Sequence, residues 1–513
     1  MAPLKVKRYG PGNQFLRIYL VAPRHPDNIW CMQMTVDLFG AKALMPNAAL
    51  ATLMALTPPE VSVEYVLADE NISPIDWDLP CDLVAVTGST LHAKRIRDIC
   101  KGFREKNIPV ALGGTYAGLY QNELSDLADY LFVGEAEETW PEFLRQWQNG
   151  NARGTYVAQS HPDLSGSPAP DWSLIDARDY LYLTVQTSRG CPNNCDFCDV
   201  IQYFGRDYRT KSIPQILAEV KTAHQLGAQT VFFSDDNFIG NRSFTKKLLS
   251  ELIRWNTAQA YPLSFSAQIT VQAGDDPKLL KMLADAKFSV LFLGVETSRK
   301  ESLEEIHKTH NLQHDLGERL RAISGYGLVP FVGLIVGFDH DDLSIFDELN
   351  RFIEDTYSPI VCISLLNAPK NTPLYNRLQR ENRLVVDDFS GEWQFFSNII
   401  PKQMSREELQ RQYWLLFQKI YEPERFGARV ERWLENVKYR SPLYVNKKFG
   451  LRQFARALVI IRFFLFHTES RLRRMFWRNL VFTWKLDRRL LRRTFSIIAQ
   501  YPHFFYFVAA MKK

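Results

Sequence analysis

Cysteine is scarce in this chain, with seven among 513 residues, and no charged-then-apolar leader stands at Met1. Both absences speak against a disulfide-framed secreted protein, and a reduced, cytoplasmic one is expected. No apolar run reaches the roughly 20 residues a spanning helix needs. The longest stretches near the C-terminus are broken by Arg462, or by Gln500, Pro502 and His503. The G-x-G-x-x-G fingerprint of dinucleotide binding is missing. So are zinc knuckles, because no second cysteine pair and no histidine pair completes the one dense cysteine cluster.

That cluster is the run Ser188-Arg189-Gly190-Cys191-Pro192-Asn193-Asn194-Cys195-Asp196-Phe197-Cys198-Asp199. A tight loop with C-x3-C-x2-C spacing can turn three thiolates onto three corners of a [4Fe–4S] cubane, which ordinarily takes four cysteines. No fourth cysteine lies nearby; the next is Cys362. Cys191, Cys195 and Cys198 are therefore expected to hold a cluster with one iron open to a substrate or cosubstrate. Such a cluster is a reagent and not merely an electron relay.

The length suggests roughly three domains. Over 1–150, short apolar strands at Leu16–Pro23, Ser62–Asp69, Leu83–Ser89, Val110–Gly114 and Tyr130–Gly134 alternate with helical segments at Lys42–Leu56, His92–Lys106 and Glu137–Gln148. That alternation predicts an α/β, doubly wound, Rossmann-like parallel sheet, whose ligands sit beyond the strands' carboxyl ends. Three of those ends carry small residues: Thr87-Gly88-Ser89-Thr90, Gly113-Gly114-Thr115, and Gly134-Glu135, which opens a helix. They suit the approach of a large flat ligand, although ordinary tight turns would look the same.

A linker is expected over 151–180, with Ser165-Gly166-Ser167-Pro168-Ala169-Pro170. Beyond it, over 181–400, six strands near 181–187, 230–235, 263–269, 290–296, 329–337 and 359–366 alternate with helical stretches such as Ile213–Leu226, Phe244–Thr257 and Pro277–Ala286. This predicts a partial, TIM-like (β/α)6 barrel with its chemistry at the strands' C-terminal ends. The cysteine run follows the first strand directly. Other strand ends carry Asp235, Asp236 and Asn237, Ser266 and Gln268, Glu296, and Gly337. Acids and amides there could hold the amine, carboxylate and ribose of a nucleotide-like cosubstrate; Asp236 or Asn237 could equally cap the next helix.

Together these residues resemble the cobalamin-dependent radical S-adenosylmethionine enzymes, over roughly residues 15–400. The cysteine loop with Phe197 before its third cysteine is similar to that superfamily's cluster loop. The run Ser188-Arg189-Gly190-Cys191-Pro192, then Asp235-Asp236-Asn237-Phe238-Ile239-Gly240-Asn241, then Leu293-Gly294-Val295-Glu296, resembles the branch holding hopanoid C-2 methylases and bacteriochlorophyll side-chain methyltransferases. Asn371-Thr372-Pro373-Leu374-Tyr375 is similar to it less distinctively.

The resemblance implies three cofactors: a [4Fe–4S] cluster on the three cysteines, S-adenosylmethionine near Phe197, Asp235, Asp236, Ser266, Gln268, Glu296 and Gly337, and cobalamin on residues 87–90, 113–115 and 134–135. It implies cleavage of the sulfonium to a 5′-deoxyadenosyl radical, hydrogen abstraction from an unactivated carbon, and methyl transfer to that carbon from methylcobalamin. A hydrophobic or lipid substrate and an electron donor of the flavodoxin or ferredoxin type go with it. The alternatives are a cyclase or rearranging enzyme with the same cofactors, a tetrapyrrole methyltransferase, or a cobalamin-binding sensor, which the intact cysteine triplet disfavours. The D-x-H-x-x-G loop of methionine-synthase-type cobalamin domains is absent. Asp69-Glu70-Asn71-Ile72-Ser73 follows the second strand instead, and His25 and His92 read as surface or packing residues.

The remaining region, 401–513, is expected to be helical and basic. The net charge is only +5, yet Lys438–Lys513 carries 18 Lys and Arg against the acids Glu469 and Asp487. Arginine is interleaved with large apolar groups, as in Val459-Ile460-Ile461-Arg462-Phe463-Phe464. Such segments lie on anionic membrane faces, so a peripheral contact at the inner face of the membrane is expected, ahead of packing on the barrel or binding nucleic acid. His307, His310 and His314, set among Glu304, Glu305 and Lys308, read as a solvated helix face. Cys31, Cys81, Cys100 and Cys362 read as packing residues.

Overall fold

The structure, a computed structural model, describes residues 5–385, 396–442 and 451–510. Lys447, Lys448, Lys512 and Lys513, counted above in the basic tail, lie outside them. Seven strands form the first sheet: β1 (Val6–Tyr9), β2 (Leu16–Ala22), β3 (Val63–Asp69), β4 (Leu83–Thr87), β5 (Val110–Gly113), β6 (Tyr130–Val133) and β7 (Thr155–Val157). Their order is β1-β3-β2-β4-β5-β6-β7, parallel except for β1 against β3. The central strands read as unbroken apolar runs because both faces are covered. Helix Ala48–Ala55 and helix Ala136–Gln148 pack on one face through Leu50, Trp140 and Phe143; helix Ala93–Glu105 packs on the other through Ile96 and Phe103.

The chain runs from β2 to β3 on one side and then to β4 on the other, so the sheet reverses direction between β2 and β4. Open sheets of this order bind ligands beyond that point. Two strands escape the sequence pattern. β1 is a short antiparallel edge, and β7 falls inside the expected linker, pairing with β6 from Leu131↔Thr155 to Val133↔Val157. The expected helix over 42–56 starts only at Ala48, where the Asn47 side chain caps the N–H groups of Ala49 and Leu50.

Six parallel strands make the second sheet: β8 (Leu183–Val185), β11 (Thr230–Phe233), β12 (Ser264–Ile269), β13 (Phe288–Glu296), β14 (Val329–Val336) and β15 (Ile360–Leu365), in the order β15-β14-β13-β12-β11-β8. A two-stranded ribbon of β9 (Ser188–Arg189) and β10 (Arg209–Thr210) brackets the cysteine loop. The six-stranded sheet is an incomplete barrel, and its β15 edge is covered. Helix Arg406–Ile420 sends the Tyr413 hydroxyl to the Ile363 carbonyl at 3.2 Å. The Tyr421 hydroxyl, just past that helix, meets both the N–H and the carbonyl of Val361. Covering an edge strand removes its tendency to pair with another chain.

The basic tail packs back onto the body. The His503 ring, on helix Tyr501–Ala510, lies 2.9 Å from the Ile29 carbonyl. Beside it Trp30 lies against the paired rings of Phe292 and Phe331, at 5.3 and 6.0 Å between centroids. No helix among the described residues is long and apolar enough to cross a membrane. The histidine segment departs from expectation: helix Lys300–Glu305 stops early, and His310 and Lys308 are buried while His307 pairs with Asp196 at 2.8 Å. Glu304, His307 and His314 stay exposed as expected, whereas Lys308 and His310 turn inward.

Candidate active site

The cysteine loop is pinned by three backbone hydrogen bonds to other segments. The Cys191 N–H donates to the Gly205 carbonyl at 3.3 Å, Asp196 N–H to Ile306 at 3.2 Å, and Leu374 N–H to the Asp196 carbonyl at 3.1 Å. The last bond explains what the Asn371–Tyr375 segment does there. Gly190 has φ +86°, and a Cβ on it would sit 2.3 Å from the Asp207 carbonyl; only glycine closes this turn. Burial pushes all three thiols above their ordinary value, Cys195 to about 11. Bare thiols here keep their protons, and they ionise when a metal's positive charge replaces them. Among the described residues no three ligands stand assembled around a metal position, so the fit lies in the donor chemistry: three cysteine thiols on one loop suit a cubane with one open corner.

Asp235 anchors the loop's entrance. Its Oδ1 accepts from Thr187 N at 3.0 Å, Thr187 Oγ1 at 2.8 Å and Ser188 Oγ at 2.6 Å, and from the Ser188 N–H. Full burial nevertheless lifts its carboxyl to about 6. Asp236 is pushed to about 7 by burial and by Asp235. The second oxygens of both, with Asn237 Oδ1, have no hydrogen-bond partner. Orphaned buried acceptors facing the loop suit the ammonium and hydroxyl donors of a cosubstrate. Of the other expected contacts, Gln268 stands exposed near the end of β12, whereas Ser266 is buried midway down it and lies 3.3 Å from Ser289 Oγ. Ser266 therefore sits below the strand ends where it was expected to act. Gly337 turns the chain at φ +109°, held by Asp341 Oδ2, which accepts the N–H groups of Gly337 and Phe338 at 2.9 and 3.1 Å.

Glu296 is at the barrel mouth, as expected, and carries an unforeseen partner. Its Oε1 pairs with the ammonium of Lys308, itself 5.9 Å from the Phe197 ring. Gly294 makes room for this pair, since a Cβ there would meet Glu296 Oε1 at 2.6 Å. Lys308 was unreadable in the sequence because its acidic neighbours make the segment look solvated.

Between the two sheets lies a cavity of about 360 Å3. Residues 87–89, 113–115 and 134–135, the expected cobalamin contacts, line one side of it; Thr184, Gln186, Arg189, Tyr203 and Phe204 line the other. Thr90 is buried and is not among the lining residues. Gly114, at φ +88°, packs so closely that a Cβ would lie 2.5 Å from Thr87 Oγ1. His92 lines the cavity too, with Nε2 3.0 Å from His25 Nδ1 and Nδ1 accepting from the Ser89 N–H. The two histidines thus pack against each other, His92 at the wall and His25 behind it. Thr184 Oγ1 is buried without a partner. A cradle of bare backbone closed by an unsatisfied hydroxyl fits a large, flat, polar-edged cofactor.

Glu135, besides lining the cavity, performs a task the sequence did not foretell. Its buried carboxylate joins the sheets: Oε2 pairs with Arg189, and Oε1 receives Arg209 at 2.6 Å and His161 at 2.9 Å. Burial works against its charge, but Arg209 and Arg189 outweigh it and hold the carboxyl below its ordinary value. Tyr203 adds a second tie, donating to the Gly134 carbonyl at 2.7 Å. Its ring covers Gly118, where a Cβ would meet it at 2.3 Å.

Residues 185–353 match the family model of the radical SAM superfamily, and residues 372–513 match a domain of unknown function, DUF4070. An uncharacterized methyltransferase of Synechocystis sp. is 34% identical over 424 residues, covering 81% of this chain and 78% of that protein. The hopanoid C-2 methylase of Rhodopseudomonas palustris is 33% identical over 385 residues, covering 74% and 72%. In fold the chain is similar to the cobalamin-dependent radical enzyme OxsB (TM-score 0.61, 13% identity, 97% of this chain and 80% of that one). It is likewise similar to the methyltransferase TsrM of Kitasatospora setae (TM-score 0.57, 16% identity, 71% and 76%). A cysteine triplet on an incomplete barrel, facing a doubly wound sheet across a shared cavity, agrees with all of these, and the chain belongs to the radical SAM methyltransferase family that includes the hopanoid C-2 methylase.

Proposed function

We propose that this enzyme methylates an unactivated carbon of a hydrophobic, isoprenoid or hopanoid-like substrate. The observation that carries the proposal is the shared cavity, walled by sheet ends on one side and by the cluster loop's flank on the other. Cys191, Cys195 and Cys198 hold the cluster; Phe197, Asp236, Gln268, Glu296 and Gly337 face the sulfonium cosubstrate; residues 87–89, 113–115 and 134 receive cobalamin. When bound, these groups supply reductive cleavage of a sulfonium and a transferable methyl group. The chain's own work is geometric. Asp235 and Asp341 fix the turns that carry the loop and Gly337, and the Glu135 clamp sets the distance between sheets. Trp30 packs on Phe292 and Phe331 of β13 and β14.

A hydrophobic substrate is supported by the likeness to the hopanoid C-2 methylase and by the tail. Among the described residues, ten of the eighteen large apolar side chains left exposed fall between 451 and 510. Trp477, Val481 and Trp484 share one face of helix Ser470–Leu486, with the Arg488 guanidinium 4.0 Å from the Trp484 ring. This face docks on an anionic membrane surface from the cytoplasmic side and gives access to lipid-borne substrate. A flavodoxin- or ferredoxin-type donor supplies the electron.

Anaerobic incubation of reconstituted protein with reductant, S-adenosylmethionine, cobalamin and a lipid extract tests the proposal. Methylation yields 5′-deoxyadenosine, S-adenosylhomocysteine and a lipid heavier by one CH2. Formation of 5′-deoxyadenosine alone, with a product of unchanged carbon count, would assign the rearrangement chemistry instead.

A further inference from the structure

Lys308 brings a buried positive charge up to the cysteine loop. The residue is 7% exposed. Its ammonium meets the Glu296 carboxylate on one hand and comes within 5.9 Å of the Phe197 ring on the other. Phe197 stands between Cys195 and Cys198 in the chain. We propose that Lys308 sets the reduction potential of the iron–sulfur cluster, acting through its charge and not as a ligand.

A buried ammonium is costly even when paired, whereas a solvated lysine would cost the fold nothing. The chain nevertheless builds a place for this one. The Lys308 N–H donates to the Leu303 carbonyl at 2.9 Å where helix Lys300–Glu305 ends, and the Lys308 carbonyl accepts the Asn311 N–H at 3.0 Å. Asn311 is buried too, and its Nδ2 donates to the Val295 carbonyl at 3.0 Å, which ties the segment to the end of β13. Gly294 leaves the space for the side chain, since a Cβ there would lie 3.0 Å from Lys308 Nζ. Burial works against the ammonium, but Glu296 and then Cys195 outweigh it and hold the group above its ordinary value. Lys308 therefore stays charged throughout the neutral range.

The inference rests on the cluster held by Cys191, Cys195 and Cys198. A cubane on three thiolates is anionic, and reduction adds a further negative charge. A nearby cation makes that electron easier to accept, the more so where water is excluded. Glu296 offsets part of the effect, so the pair adjusts the potential in both directions. Loss of the lysine makes it more negative, and loss of the carboxylate makes it more positive. With Lys308 in place, a weaker electron donor suffices to load the cluster.

Redox titration of the anaerobically reconstituted full-length protein, followed by the EPR signal of the reduced cluster without S-adenosylmethionine, tests this. Lys308→Met is expected to change the reduced-to-oxidised ratio at a fixed potential at least tenfold toward the oxidised form, about 59 mV for one electron. Lys308→Arg keeps the charge and is expected to retain the wild-type value. Glu296→Gln shifts the potential the opposite way, and it carries the test if Lys308→Met fails to load its cluster. A loaded Lys308→Met protein with the wild-type potential overturns the proposal, and a loss of S-adenosylmethionine affinity in that protein would give the lysine to the cosubstrate instead. An equal shift in Lys308→Arg, or an unchanged or more negative potential in Glu296→Gln, overturns it as well. Wild-type protein without iron–sulfur absorbance would refute the cluster assignment itself, before any titration begins.

Discussion

At the scale of single residues, the acids around the barrel mouth divide into those that hold the chain and those left open to a ligand. Asp341 belongs to the first group: it is fully buried, bonded to two N–H groups and to Ser302 Oγ, and lifted by burial to about 6. An acid whose carboxyl is raised in the folded state binds more protons there than in the unfolded chain. Its contribution to stability is therefore full below the ordinary carboxylate range and falls as pH rises toward 6. The difference is on the order of 3 kcal/mol. Urea unfolding of the wild type and Asp341→Asn between pH 4 and 7 checks this: the wild-type advantage is expected to shrink as pH rises. A constant difference would show that Asp341 stays ionised.

The cysteines were legible at this scale because their function is written in local spacing. Lys308 and His310 were not, since nothing local distinguishes a lysine that will be buried beside Glu296 from one on a wet helix. Asp235 was legible as an acid at a strand end, but its main bonds, to Thr187 and Ser188, come from a strand 47 to 48 residues away.

At the scale of elements, the functional unit is the junction of β6 and its following helix with the β9–β10 ribbon. Glu135 gathers two arginines and His161 there, with its side chain 1% exposed. Removing the charge leaves Arg209 without its carboxylate in a nearly closed space, while Arg189 keeps Glu137 at 2.8 Å. Breaking a buried pair in this way costs roughly 3 to 5 kcal/mol. Glu135→Gln is expected to lower thermal stability accordingly. It should also uncouple two signals: the iron–sulfur absorbance after reconstitution persists, while methyl transfer falls by more than tenfold relative to 5′-deoxyadenosine formation. Equal loss of both would place the damage in the cluster loop itself. The strands of both sheets were readable from apolar runs and their alternation with helices. β1 and β7 were not, because three- or four-residue edge strands carry too little pattern to separate from loop.

At the scale of the whole molecule, a mildly acidic enzyme body carries a basic tail that packs on the barrel and closes a cavity beneath it, leaving an apolar stripe outward. If that stripe docks on lipid, affinity must depend on both its rings and its charge. Replacing Trp477 and Trp484 together by alanine is expected to cut co-sedimentation with phosphatidylglycerol vesicles at least tenfold, a loss of about 1.4 kcal/mol or more. Raising salt should weaken wild-type binding further. Binding indifferent to the two substitutions would mean that the stripe meets something other than a membrane.

Sequence alone determined what depends on near neighbours: three thiols in one loop, the alternation of strands and helices, glycines at strand ends, and the tail's charge. These follow from spacing and composition, which act over a few residues. Tertiary structure decided which polar groups lose water, and with that their partners and protonation. It tied Glu135 of the cofactor wall into a clamp, buried Lys308 beside Glu296, paired His25 with His92, and set four tail-and-barrel cations, Lys287, Arg456, Arg492 and Arg493, around one cavity. Burial and long-range pairing are properties of the packed chain, because desolvation is felt only when distant segments close over a group.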